Sequence, residues 1–184
     1  MGGRIGQRLG GAAAIVTAGA VSVSDATKLE STSGIGDYTK RFAKEYGVSG
    51  DISVRVSKVR SGTEGGGVNF GAVDANGNAT LKSVVFIRAS SDLTKEQVQE
   101  IIKHELTHLK QSQSGRFYFN ANRGTDGYYF DGKFVISAAG YRKIMRGMDS
   151  RSYSVRQKSY QLYRNLPWEV EAHAAGDAFK ISTP

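Results

Sequence analysis

The sequence predicts one α+β domain, a small mixed sheet packed on a strongly marked helix and followed by a helical C-terminal region. Three observations lead there. Ile52, Val54 and Val56 alternate with polar residues, and two turn dipeptides, Asn76-Gly77 and Asp131-Gly132, sit between apolar runs, which is the pattern of strands and hairpins. Val98, Ile101, Ile102 and Leu106 recur at helical spacing. A chain of 184 residues with 39% hydrophobic and 23% charged side chains has the composition of a globular domain, not of a disordered tail or a membrane bundle.

The first 30 residues stand apart. Residues 1 to 30 form a Gly/Ala-rich arm in which Arg4 and Arg8 precede an apolar stretch from Leu9 to Val23, with Ala18-Gly19-Ala20 in the small-x-small form of a signal-peptidase site. A secretory signal, implying a secreted or periplasmic protein, and a membrane- or partner-binding arm both fit this segment; a virion-associated or cytoplasmic setting goes with the second. The domain is then residues 31 to 184.

Within it, residues 37 to 46 spell a short amphipathic helix with Tyr38 and Phe42 on one side, and residues 52 to 56 a half-buried strand. Gly65-Gly66-Gly67 reads as a flexible link. Residues 68 to 73 and 79 to 89 flank a turn at residues 74 to 78, and Val84 to Arg88 is a strand running into the next helix. Its edge is where an extended peptide is expected to pair. Thr94 followed by Gln97 makes a capping box for that helix, which ends near Ser112 to Gly115. A second hairpin folds around Asp131-Gly132. Residues 138 to 148, 154 to 165 and 167 to 179 read as helices, with Pro167 in a first turn.

The chemistry is concentrated in few residues. With no cysteine and three histidines, disulfide frameworks, thiolate zinc sites and cysteine nucleophiles are excluded, and any metal falls to His, Asp or Glu. Two of the histidines stand in His104-Glu105-Leu106-Thr107-His108, the HExxH pattern. Residues four apart share a helix face, so both imidazoles face one ion while Glu105 is turned about 100° and reaches a metal-bound water. A catalytic zinc needs a third protein ligand and an open position. Glu169 and the third histidine, His173, share a face of the Pro167 helix, whereas Glu171 turns away.

HELTHLKQ followed by a helix bearing Glu-x-x-Ala resembles the gluzincins, zinc metallopeptidases whose third ligand is a glutamate downstream of HExxH. The likeness is to their minimal bacterial and phage-type members, with a later Glu-x-Glu-Ala segment, and it spans about residues 80 to 180. It implies a zincin-like fold, a zinc ion held by His104, His108 and Glu169, Ala172 as the matching small residue, and hydrolysis of a peptide or protein substrate, as an endopeptidase more than an exopeptidase. Many relatives have Asp where this chain has His173. Three roles fit His173: hydrogen bonding to a zinc histidine, stabilising an oxyanion, or acting as ligand itself. Gly124-Thr125-Asp126 with Tyr128 and Tyr129 is similar to a segment of the aspzincins, which makes Asp126 the rival ligand and Tyr128 a candidate catalytic tyrosine. Glu105 is the expected general base, taking a water proton and returning it to the leaving amine.

The net charge of +8 is local. Residues 112 to 166 hold ten Lys or Arg against three Asp, which accounts for +7 of it and suggests contact with an anionic surface or nucleic acid. It also defines the competing class, a basic binding or virion-type structural protein whose zincin site is vestigial or only stabilises the fold.

Overall fold

A computed structural model describes residues 31–61, 64–70, 72–73, 79–122 and 126–181. The N-terminal arm, the turn at 74 to 78 and Gly124-Thr125 lie outside them. The architecture is α+β, and the described residues form two three-stranded sheets, a small two-stranded ladder and five helices.

Helix α1 (Thr32–Glu45) begins five residues earlier than its amphipathic pattern suggests. Ser31 caps it by accepting from the Gly34 N–H at 3.0 Å, and Ile35, Tyr38 and Ala43 form its buried stripe. Strand β1 (Ile52–Lys58) follows, then β2 (Gly65–Asn69), the short β3 (Ala72–Val73) and β4 (Ala79–Leu81) that pair as a hairpin, and β5 (Ser83–Ala89).

In the first sheet β5 is central, parallel to β1 and antiparallel to β2. Two expectations are corrected here. Gly65-Gly66-Gly67 is not a flexible link but ladder backbone opposite Arg88, Ile87 and Phe86. The Val84 to Ala89 strand has no free edge, because both of its sides are paired; among the described residues the open edge beside the long helix belongs to β2. Alternation puts Val85, Ile87 and Ala89 on the buried face.

That face packs on α2 (Lys95–Gln113), whose capping box is fully formed: the Thr94 N–H donates to Gln97 Oε1 at 2.8 Å and the Gln97 N–H donates to Thr94 Oγ1 at 3.3 Å. Val98, Ile102, Leu106 and Leu109 enter the main core with the α1 stripe. Core burial on this face fixes which residues α2 turns the other way, His104 and His108 among them.

A three-stranded meander comes next, β6 (Phe117–Asn120), β7 (Gly127–Phe130) and β8 (Lys133–Ser137). The β7–β8 turn has positive φ at both Asp131 (50°) and Gly132 (75°), the tight hairpin its Asp-Gly dipeptide announces. Helices α3 (Ala138–Met148) and α4 (Tyr153–Arg164) form a hairpin, and α5 (Pro167–Ile181) returns along α2. Ala172 is fully buried, and a Cβ on Gly176 would meet the Glu100 carbonyl oxygen at 3.6 Å, an ordinary van der Waals contact between α5 and α2. Trp168 anchors its start in a second core with Phe130 and Leu166. Arg116 pins the same helix, donating to both oxygens of Glu171 at 2.8 Å and to Asp131 at 2.6 and 2.9 Å. Glu171 thus points away from Glu169, as its position in the helix requires. No helix among the described residues is long and apolar enough to cross a membrane.

Candidate metal centre

Where α2 and α5 meet, three donor atoms converge. His104 Nε2 and His108 Nε2 are 3.1 Å apart, His108 Nε2 is 3.3 Å from Glu169 Oε1, and His104 Nε2 is 3.4 Å from Glu169 Oε2. A tetrahedral ion with bonds of about 2.0–2.1 Å needs ligand atoms separated by about 3.3 Å. Each of the three separations is close to that edge, with the two histidine nitrogens facing different oxygens of the one Glu169 carboxylate.

The surroundings fit a cation as well. Glu169 is 2% exposed and its Oε2 has no hydrogen-bond partner, an arrangement that is costly unless something positive satisfies the oxygen. Burial alone would raise the Glu169 pKa, but His104 and His108 outweigh it and bring it down to about 2. For His108 the same contest runs in reverse. Burial pulls its pKa down, yet the facing Glu169 and Glu105 carboxylates and Gln111 lift it above its ordinary value.

Gln111 decides which nitrogen of His108 is available. Its Oε1 lies 3.0 Å from His108 Nδ1, and its own amide N–H donates to the Trp168 carbonyl at 3.1 Å. With the amide so oriented, Nδ1 is the protonated nitrogen and Nε2 turns its lone pair toward His104 and Glu169. Gln111 closes the HELTHLKQ motif, but its sequence position alone assigned it no role; its place three residues after His108, on the same helix face, is the usable signal.

Glu105 stands beside this group on α2, buried, with its pKa pushed up to about 6 by that burial against the pull of His108 and His104. Room for it is left by β2. A Cβ on Gly66 would lie 2.6 Å from Glu105 Oε1 and 2.7 Å from Cδ, so the strand passes where a side chain cannot. Nothing local in the sequence signals this contact, since it joins residues far apart in the chain.

A cleft of about 500 Å³ opens onto His104, Glu105 and Glu169. His173 lines it, its ring 4.5 Å from that of His104, half-buried, with its pKa brought down to about 4 by burial, His104 and Arg164. It lies outside the three-donor group. Asp126 is likewise outside that group; it is exposed, and its carbonyl accepts the Ala138 N–H at 3.1 Å. Tyr128 is not on the cleft either. It sits on β7 among Phe117, Tyr141 and Trp168, with the Tyr141 ring 4.5 Å away, because strand alternation turns it to the second core. The tyrosines that do line the cleft come from α4, Tyr160 and Tyr163. Burial and the nearby Glu169 charge hold the Tyr163 phenol well above its ordinary pKa, so it stays a proton donor.

No protein-family model matches the chain, and neither a curated protein nor a solved structure matches it.

Proposed function

We propose that the protein is a zinc-dependent peptidase of the gluzincin kind, with a zincin-like fold, in which His104, His108 and Glu169 hold the metal. The observation that carries this reading is the convergence of His104 and His108, their nitrogens 3.1 Å apart, on the two oxygens of Glu169 at 3.4 and 3.3 Å, beside the buried carboxylate of Glu105. Bound zinc supplies a water of lowered pKa and a Lewis acid for a carbonyl.

The chain's own groups do the rest. Glu105, held by burial close to the pKa range of an effective base, accepts a proton from a water in the cleft and returns it to the departing amine. His173 and Tyr160, both on the cleft wall, are the groups placed to donate to an oxygen that gains negative charge. Tyr163 orders the neighbourhood of Glu169. An extended peptide adds to the open edge of β2, whose Gly65 and Gly66 border the cleft; a chain bound along an edge in that way is cut internally.

Metal content and hydrolysis test the reading together. Purified protein carries about one zinc, His108→Ala and Glu169→Ala lose it, and Glu105→Gln keeps it while cleavage of an unstructured protein such as casein falls by about 10²–10⁴-fold, the scale of a general base. Full zinc in Glu169→Ala overturns the third ligand. Unchanged behaviour of Glu105→Gln would instead favour a binding protein with a vestigial centre.

A further inference from the structure

The α3–α4 hairpin has a second face that the cleft does not use. Gly147 on α3 meets Ser159 on α4 so closely that a Cβ there would lie 2.9 Å from the Ser159 Cβ. From that crossing, Met145, Met148, Tyr160 and Tyr163 turn to the cleft. At about 100° per residue, Lys143 and Arg146 of α3 and Lys158 and Leu162 of α4 turn away from the cleft, Val155 stands beside the Gly147 crossing, and all five are exposed.

This face is cationic and aliphatic together. Residues 138 to 166 hold seven Lys or Arg and a single acid, Asp149, and among the described residues Lys143, Arg146 and Lys158 form no ion pair. Val155 and Leu162, two turns apart on α4, are 44% and 49% exposed. We propose that the outer face of the hairpin docks the protein on an anionic lipid bilayer, with Val155 and Leu162 entering the interface and Lys143, Arg146 and Lys158 lying against the headgroups.

Charge complementarity names an anionic partner, and the aliphatic pair selects a membrane. Nucleic acid is held by cations with stacking rings, but Tyr160 and Tyr163 turn to the cleft and the outer face offers branched aliphatics instead. Interfacial helices combine those aliphatics with Lys and Arg. The N-terminal arm does not complement this face, because Arg4, Arg8 and Lys28 outnumber Asp25 and Glu30. Docking in this way turns the cleft toward the aqueous side.

Co-sedimentation of the full chain with vesicles tests the idea without reference to hydrolysis, so its outcome is separate from that of the peptidase reading. The protein pellets with phosphatidylcholine vesicles containing phosphatidylserine and not with phosphatidylcholine alone. Lys143→Gln/Arg146→Gln/Lys158→Gln binds roughly hundredfold more weakly, at about fivefold per charge removed. Val155→Ser/Leu162→Ser, which keeps the charge, also weakens vesicle binding, with folding checked by circular dichroism. Absence of binding to phosphatidylserine vesicles overturns the proposal. So does tighter binding to a DNA duplex that Val155→Ser/Leu162→Ser leaves unchanged, which would assign the face to nucleic acid.

Discussion

The backbone of Gly66 and the carboxylate of Glu105 occupy adjoining space so tightly that a Cβ on the glycine would stand 2.6 Å from Oε1. The edge strand therefore forms one wall beside this carboxylate, and α2, α3, α4 and α5 contribute most of the remaining cleft lining.

Replacing Gly66 with alanine displaces Glu105 while leaving the three donor atoms in place. Misplacing a reacting group by about 1 Å costs on the order of 10²-fold in rate, so Gly66→Ala is expected to lose about 10- to 100-fold in kcat/KM with its zinc content unchanged. Hydrolysis and metal analysis on the same preparation check this. Loss of zinc along with activity would mean that the strand supports the ligands and not the base.

Gln111→Ala leaves His108 Nδ1 without its partner and the buried Trp168 carbonyl without its donor. Loss of such an outer partner weakens metal binding by about 10- to 100-fold, and the unsatisfied carbonyl costs about 1–3 kcal/mol of stability. Competition with a chromophoric chelator reads the first and thermal denaturation the second. Unaltered zinc affinity would remove Gln111 from any role in selecting the histidine tautomer.

The metal-free protein carries a pH signature at His173. Its pKa falls from the ordinary 6.5 to about 4 on folding, so the unfolded chain takes the proton first, and the stability this group contributes is lost as pH falls from 6.5 toward 4. The Tm of wild type should rise relative to that of His173→Gln as pH increases from 4 to 6.5. Parallel curves over that interval would show that the half-buried ring is not held neutral by its surroundings.

Much of the fold was legible because it is specified locally. The Thr94/Gln97 capping box, the Asp131-Gly132 turn, Pro167 at a helix start and the apolar periods of β1, β5 and α2 all appear where short-range patterns place them. The start of α1 was less legible, since Gly34 and Gly36 obscure a helix that Ser31 capping and burial of Ile35 support. The glycine triplet was misread for a deeper reason. Three glycines signal freedom when seen alone, whereas here they are a strand because β5 pairs with them, and Glu105 fills the space a side chain at Gly66 would take.

The site divides along the same line. His104, Glu105 and His108 lie within one helical turn or so, and their spacing by itself determined that two imidazoles share a face with a carboxylate beside them. The packing of α5 on α2 decided that Glu169 completes the group while His173 and Asp126 stay outside it, and strand alternation turned Tyr128 into a core as α4 brought Tyr160 and Tyr163 to the cleft. A helix repeats its geometry every few residues, so sequence specifies relations within it. Distances between elements depend on how their faces pack, through contacts such as those at Ala172, Gly66 and Gly176, and that is settled only when the whole chain has folded.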